Sequence, residues 1–347
     1  MKISVRVLSL TMLVGLFFIP TSAQAQSGYS SYTELTNKMK ALNNANKNIT
    51  ELTSVAKTKG GKDVWLLTIG SGDVKNHPGI AVIGGAKASH ILGTELTLRF
   101  AEQLLSTANT EETKALLAST TFYVFPQINP DAATQYFDKL KYERDGNMTS
   151  TDADRDGFYD EDGFDDLNGD NFITMMRVAD KTGSWTMHKD DPRVMVKADA
   201  DNGEKGSYKM FTEGRDNDED GKFNEDGEGG VNINQNFSYD FPYFKSGSSE
   251  NPVSENETRG VLDFLFEEAR NTFAVISFGP ENNLSDPLKF NRAAASKRVV
   301  SGWLSDDITV NKMVSDLYND KTNLGIAPSG DPQQGDLFQW AYYHYGR

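Results

Sequence analysis

The chain has 347 residues, enough for one large domain, and it contains no cysteine, which excludes disulfides, zinc–thiolate sites and cysteine nucleophiles. Its 50 acidic residues outnumber its 35 basic residues, so the formal net charge is −15. That balance argues against nucleic acid and anionic membrane surfaces as partners, because both repel a strongly acidic protein.

The N-terminus has the pattern of a secretory signal peptide. Two basic residues precede the apolar run VLSLTMLVGLFF, and Ala23 and Ala25 provide an Ala-x-Ala cleavage signal. The apolar run is shorter than the ~20 residues that a membrane span needs. We therefore predict that residues 1–25 are a signal peptide, that residues 26–347 form one domain, and that the protein is secreted or periplasmic without membrane insertion.

Helix and strand patterns alternate along the rest of the chain. SYTELTNKMKALNNA predicts an amphipathic helix, and KDVWLLTIG, GIAVIGGA, TTFYVFPQI and TFAVISF are apolar runs typical of buried strands. Helices are also predicted between Ile91 and Leu105, over ETRGVLDFLFEEAR, and between Asn291 and Asn319. This order predicts an α/β fold, a mixed twisted sheet with helices on both faces, whose chemistry lies at the carboxyl ends of the strands.

Residues 146–230 form an acidic insertion with little apolar periodicity. Between Asp152 and Glu228 there are 23 acidic and 10 basic residues. DADRDGFYDEDG and DNDEDGKFNEDG share one pattern, and alternate carboxylates followed by a Gly turn suit a Ca²⁺ ion. The predicted calcium ligands are Asp152, Asp154, Asp156 and Asp160 in the first copy and Asp216, Asp218, Asp220 and Asn224 in the second.

These two loops differ from a complete EF-hand. Gly163 and Gly227 stand at the twelfth position, where an EF-hand needs Glu. We predict compact calcium loops with a structural role, the alternative being a solvated acidic loop. A third stretch, DDLNGDN, offers further candidate ligands to either loop.

Several motifs together resemble the zinc carboxypeptidase family over most of the chain. GGAKASHILGTEL resembles the turn that carries the family's His-x-x-Glu zinc-binding pair, and the resemblance places that His at Lys87 and that Glu at His90. FAVISFGPENN resembles the strand that delivers the third zinc ligand, and Phe278 is nearest to that position. The resemblance thus implies a carboxypeptidase fold in which all three zinc-ligand positions are substituted.

Substrate-binding segments of the family also have counterparts. GGVNINQNFSYDFP resembles the segment whose Asn-Arg pair grips a peptide's terminal carboxylate; Asn234 matches the Asn, and Gln235 replaces the Arg. Arg177 is a candidate remnant of an arginine beside the reacting carbonyl, or else a structural residue. FPQINPDA resembles the family's Asn-Pro-Asp-Gly turn, and GDLFQWAYYHYGR resembles its Asp-Trp-Ala-Tyr segment with Gln339 in place of the Asp.

Three functions remain open on this basis. We favour a secreted, non-catalytic relative that is stabilised by calcium and binds peptide or protein C-termini or surface components. We do not expect it to bind zinc, because a zinc hydrolase needs three protein ligands and Lys87, His90 and Phe278 do not supply them. The alternatives are an active metallocarboxypeptidase with an unusual metal shell and a calcium-dependent adhesion module.

Overall fold

The computed structural model describes residues 28–153, 155–217, 219, 221–282, 284–297, 300–322 and 333–346. The predicted signal peptide and the ligand candidates Asp154, Asp218 and Asp220 lie outside this part of the chain. The helices of the described residues are α1 (Tyr32–Ala45), α2 (Ile91–Ser106), α3 (Glu111–Leu117), α4 (Pro130–Thr134), α5 (Asn256–Asp263), α6 (Arg292–Ala295), α7 (Ser305–Thr322) and α8 (Leu337–Trp340). The strands are β1 (Thr50–Lys57), β2 (Asp63–Ile69), β3 (Gly79–Gly84), β4 (Thr121–Phe125), β5 (Met175–Ala179), β6 (Trp185–Met187), β7 (Met195–Lys197), β8 (Tyr208–Thr212) and β9 (Thr272–Phe278).

The main sheet has the order β1-β2-β4-β3-β9 and is mixed, as predicted. β1, β2 and β4 pair antiparallel, whereas β3 pairs parallel with β4 and with β9. The carboxyl ends of β3 and β9 therefore lie side by side, with Gly84 opposite Phe278. This shared edge is where the predicted site residues of both strands meet.

Hydrophobic cores on both faces of the sheet hold the helices in place. Alternation along β3 sends Val82 towards α1 and α2, where it joins Leu98, and Ile83 towards α5 and α8, where it joins Trp340. All four side chains are at most 1% exposed. The prediction of helices on both faces is confirmed, and it follows from strands that are apolar on both sides.

A local sequence signal explains where α1 begins. α1 begins after a capping box, in which the Ser31 side chain accepts from the Glu34 N–H and the Glu34 carboxylate accepts from the Ser31 N–H. α5 continues into one π-helical turn, Phe264–Glu268, before the chain enters β9. No helix of the described residues is long and apolar enough to cross a membrane.

The acidic insertion contains more structure than its sequence predicts. β5, β6, β7 and β8 form a separate antiparallel sheet with the order β5-β8-β6-β7. No residue of these four strands is buried, so the alternation of apolar and polar side chains that marks a strand is weak here.

Candidate functional site

The turn after β3 brings Lys87 and His90 to the edge where β9 ends. Gly93, in the first turn of α2, makes the close approach possible, because a Cβ there would lie 2.2 Å from the carbonyl oxygen of Phe278 and 3.1 Å from Nδ1 of His90. Lys87, His90 and Phe278 are therefore neighbours around the start of α2. We call this region the strand-end site.

His90 is held as a neutral imidazole in this site. Burial, followed by the charge of Lys87, lowers the pKa of its ring. Its Nδ1 atom is buried and has no hydrogen-bond partner among the described residues. His90 also precedes α2 without capping it through its side chain. The ring is thus an unengaged polar group that faces the shared strand edge.

Two carboxyl groups complete the strand-end site, and the sequence analysis did not single out either one. Burial raises the pKa of Glu281, which lies three residues beyond β9, and the charge of Lys87 opposes that shift. Burial raises the pKa of Asp336 to about 6, and Glu281 contributes to the shift. The sequence could have indicated Glu281 through its position just after a buried strand, because functional residues of α/β sheets commonly lie at the carboxyl ends of the strands.

Asp336 connects this cluster to the candidate substrate-binding residues. It caps α8 by accepting from the Gln339 N–H at 2.7 Å, and the next residue, Leu337, donates its N–H to Oδ1 of Asn234 at 3.3 Å. Gln235 behaves differently, since its buried Oε1 has no partner among the described residues and lies beside Gly247. Asn234 therefore adjoins the strand-end site through α8, while the side chain of Gln235 lies against another segment.

Arg177 belongs to the second sheet. Its guanidinium donates to the carbonyl of Pro192 at 2.6 Å and lies over the ring of Tyr208. These contacts tie together neighbouring strands of the acidic insertion. They correspond to the structural alternative considered for this residue.

The described Asp candidates of the acidic loops accept hydrogen bonds from backbone N–H groups nearby in the chain, whereas the Asn224 side chain donates to the carbonyl of Thr212 and its Oδ1 has no partner among the described residues. Asp152 accepts from the N–H groups of Asp156 and Gly157, and Asp216 accepts from Gly221. The Asp160 carboxylate accepts from the N–H of Thr151, the residue directly before Asp152. Among the described residues, no group of three or more His, Cys, Asp or Glu side chains converges closely enough to hold a metal ion.

A third loop has the same local conformation. Asp166 accepts from the N–H groups of Gly169, Asp170 and Asn171, in the manner of Asp152 and Asp216. Counted from the first Asp, the fourth and sixth residues have positive φ in all three loops: Arg155 and Gly157, Glu219 and Gly221, Gly169 and Asn171. DDLNGDN thus forms a loop of its own around Asp166.

Comparison with known proteins shows a likeness to zinc carboxypeptidases over part of the chain. A family model described as zinc carboxypeptidase matches residues 35–190. A zinc carboxypeptidase from Saccharothrix mutabilis subsp. capreolus is 29% identical over 139 residues, which cover 37% of this chain and 32% of that protein. The structure of bovine thrombin-activatable fibrinolysis inhibitor in complex with tick carboxypeptidase inhibitor matches with a TM-score of 0.53 at 14% identity, over 90% of this chain and 82% of that one. Residues 35–190 are therefore similar to zinc carboxypeptidases in sequence, and the chain shares their fold.

This result confirms the resemblance and the fold. The family match of residues 35–190 contains the turn with Lys87 and His90 and the first acidic loop. Asn234, Phe278 and Asp336 lie beyond it. The alignment spans about a third of the curated relative's length.

Proposed function

We propose that this protein is a secreted or periplasmic member of the zinc carboxypeptidase family that binds the C-termini of peptides or proteins and does not hydrolyse them. The observation that carries the proposal is the set of side chains at the strand-end site. Lys87, His90 and Phe278 offer an ammonium, one imidazole and a phenyl ring where the family resemblance places three zinc ligands.

This donor set does not fit a catalytic zinc ion. Zinc hydrolases hold the metal with three protein ligands and leave one position for water. His90 is the one ready donor of the three, and at an effective dielectric of ~20 the charge of Lys87 would repel Zn²⁺ by several kcal/mol at a few Å. We therefore assign no hydrolytic step to this site.

The same residues suit a terminal carboxylate. Lys87 is half-buried near the carboxyl ends of β3 and β9. An ammonium at a half-buried position attracts a carboxylate more strongly than one at a fully exposed position. The half-buried ring of His90 leaves Lys87 as the cation there, because burial and the charge of Lys87 lower the pKa of that ring. Lys87 would thus provide the charge that the Arg-to-Gln change at Gln235 removes.

Peptide binding tests this role directly. A fluorescein-labelled peptide with a free C-terminal carboxylate is expected to bind about tenfold more tightly than its C-terminal amide in fluorescence polarisation, a difference typical of one charge-assisted contact of roughly 1.4 kcal/mol. Lys87→Met should remove this preference, whereas Lys47→Met, at an exposed lysine after α1, should retain it.

Hydrolysis and zinc content decide between this proposal and the active enzyme. Release of C-terminal residues by protein that contains about one zinc per chain would support an unusual metallocarboxypeptidase. Equal affinity for the acid and the amide, together with calcium-dependent adherence to cells that Lys87→Met does not change, would support the adhesion module.

We propose further that Ca²⁺ stabilises the acidic insertion. The support is the repeated conformation around Asp152, Asp166 and Asp216, together with the 13-charge acidic excess between Asp152 and Glu228 (23 acidic minus 10 basic). A bound divalent cation would offset the mutual repulsion of these carboxylates and hold the loops in place.

Removal of calcium is expected to expose the insertion to proteolysis. EGTA should increase the rate of cleavage within residues 146–230 about tenfold or more, as measured by limited proteolysis and mass spectrometry, because the unfolded loops become accessible. A zinc-selective chelator is the control and should leave the rate unchanged. Cleavage that responds to the zinc chelator and not to EGTA contradicts this assignment of roles.

A further inference from the structure

The first acidic loop (residues 152–163) and the second (residues 216–227) exchange hydrogen bonds. In each loop, the side chain of one Asp accepts from backbone N–H groups of the other loop. Asp226, at the eleventh position of the second loop, accepts from the N–H groups of Ala153 and Glu161 in the first loop. Asp162, at the eleventh position of the first loop, accepts from the Asn217 N–H in the second loop at 2.8 Å. The next residues, Gly163 and Gly227, pair in a parallel bridge that lies between the loops.

The crossed carboxylates are deeply buried. Asp162 is 1% exposed and Asp226 is 5% exposed, and neither has an ion-pair partner in the part of the chain that the structure describes. A buried carboxylate without a counter-ion is strongly unfavourable. The two residues therefore lie where a cation would be most effective.

One oxygen atom shows this need most clearly. Oδ2 of Asp226 accepts from Glu161, whereas the equivalent Oδ2 of Asp162 is buried and has no hydrogen-bond partner among the described residues. Its carboxylate lies at Asn217, directly after Asp216, whose own buried Oδ1 also lacks a partner. Two unpartnered carboxylate oxygens thus occur at the start of the second loop.

We infer that Asp162 and Asp226 are exchanged calcium ligands, each completing the site of the opposite loop. The inference rests on the proposed calcium binding of these loops and names ligands that their own sequences lack. Gly163 and Gly227 stand where an EF-hand has its bidentate Glu, so each loop is short of one carboxylate. The two oxygens of a carboxylate carry about four lone pairs, so Asp226 can accept its two N–H bonds and still bind a metal ion.

The exchange couples the two sites. An ion in the first loop would hold Asp226, and an ion in the second loop would hold Asp162, so each ion would order a segment that also belongs to the other site. Binding of one ion would then favour binding of the other. The two calcium sites would therefore act as one cooperative unit.

A crossover experiment tests the exchange by calorimetric titration of the calcium-free full-length chain with CaCl₂. All proteins carry Asp166→Asn, so that the third loop contributes no binding. Asp216→Asn then disables the second loop, and in that protein Asp226→Asn should lower the remaining affinity about tenfold or more, while Asp162→Asn should leave it within about twofold. Asp152→Asn disables the first loop, and in that protein the two effects should be reversed.

The outcomes separate the exchange from calcium binding itself. Absence of bound calcium in the unmodified protein contradicts both proposals. Calcium binding in which Asp162→Asn weakens its own first loop, or in which neither substitution has an effect, overturns only the exchange. If circular dichroism shows that Asp162→Asn or Asp226→Asn does not fold, Asp152→Asn can still be compared with the protein that carries Asp166→Asn alone. The calcium affinity of the second loop should then fall at least threefold. An unchanged affinity refutes the coupling.

Discussion

Replacing Lys62 with Met is expected to lower the free energy of unfolding by about 3 kcal/mol, the usual cost of removing one partner from a buried ion pair. Lys62, between β1 and β2, donates to Oδ1 of Asp131 at 2.9 Å, and the Gly60 N–H donates to Oδ2 at 2.8 Å. The Asp131 side chain is 0% exposed. Without Lys62, the charge of Asp131 would remain buried, and the neutral N–H of Gly60 would be its remaining partner of these two.

Lys57 provides a matched control, because it forms an ion pair with Asp63 at the same distance of 2.9 Å but is 68% exposed. Lys57→Met should change the free energy of unfolding by less than about 1 kcal/mol, since solvent screens exposed pairs. Urea denaturation of both variants at neutral pH measures the difference. Equal losses for the two substitutions would mean that burial of Asp131 does not determine the effect.

Replacing Glu257 with Gln is expected to raise the free energy of unfolding at pH 8 by about 2–3 kcal/mol and to change it little near pH 5. Glu257, at the start of α5, is fully buried; one oxygen accepts from Asn147 and the other has no partner among the described residues. Burial raises the pKa of this carboxyl from 4.5 to about 7, with further contributions from Glu255 and Asp131.

The sign of the effect follows from the raised pKa. Below pH 4.5 the carboxyl is protonated in both the folded and the unfolded state, and above pH 7 it is ionised in both, so the folded protein loses stability as the pH rises between these values. A neutral amide at position 257 removes that loss. Glu267→Gln, at an exposed position of the following turn, is the control and should show no pH-dependent gain. A gain of the same size at both pH values would refute the explanation.

The main sheet could be predicted because each of its buried strands is a short apolar run that ends in Gly or Pro. The predicted runs around Leu66, Val82, Val124 and Val275 correspond to β2, β3, β4 and β9 of the structure, and α1 and α2 also lie where their patterns indicate. β1 was not predicted, because TELTSVAK is mostly exposed and lacks a clear apolar face. The helix predicted between Asn291 and Asn319 is divided into α6 and α7.

The second sheet and the strand-end site depend on contacts between distant residues. β5 pairs with β8 across more than thirty positions, Met176 opposite Phe211, in a segment whose local composition favours loops. Glu281 approaches Lys87, and Asp336 approaches Glu281, only because β3 and β9 are neighbours and α8 packs against the same core. No local pattern in the sequence indicates these distances.

The sequence alone determined the resemblance to zinc carboxypeptidases, the α/β class, the acidic repeats and the residue types at the positions that the resemblance assigns to zinc. These properties depend on the identity and local spacing of residues, which a sequence contains in full. Only the tertiary structure decided that Arg177 lies in a second sheet, that Glu281 and Asp336 join Lys87 and His90, and that Asp162 and Asp226 cross between the loops. Those arrangements follow from strand order and loop closure, because burial and charge at a site are set by whichever distant segments the fold brings beside it.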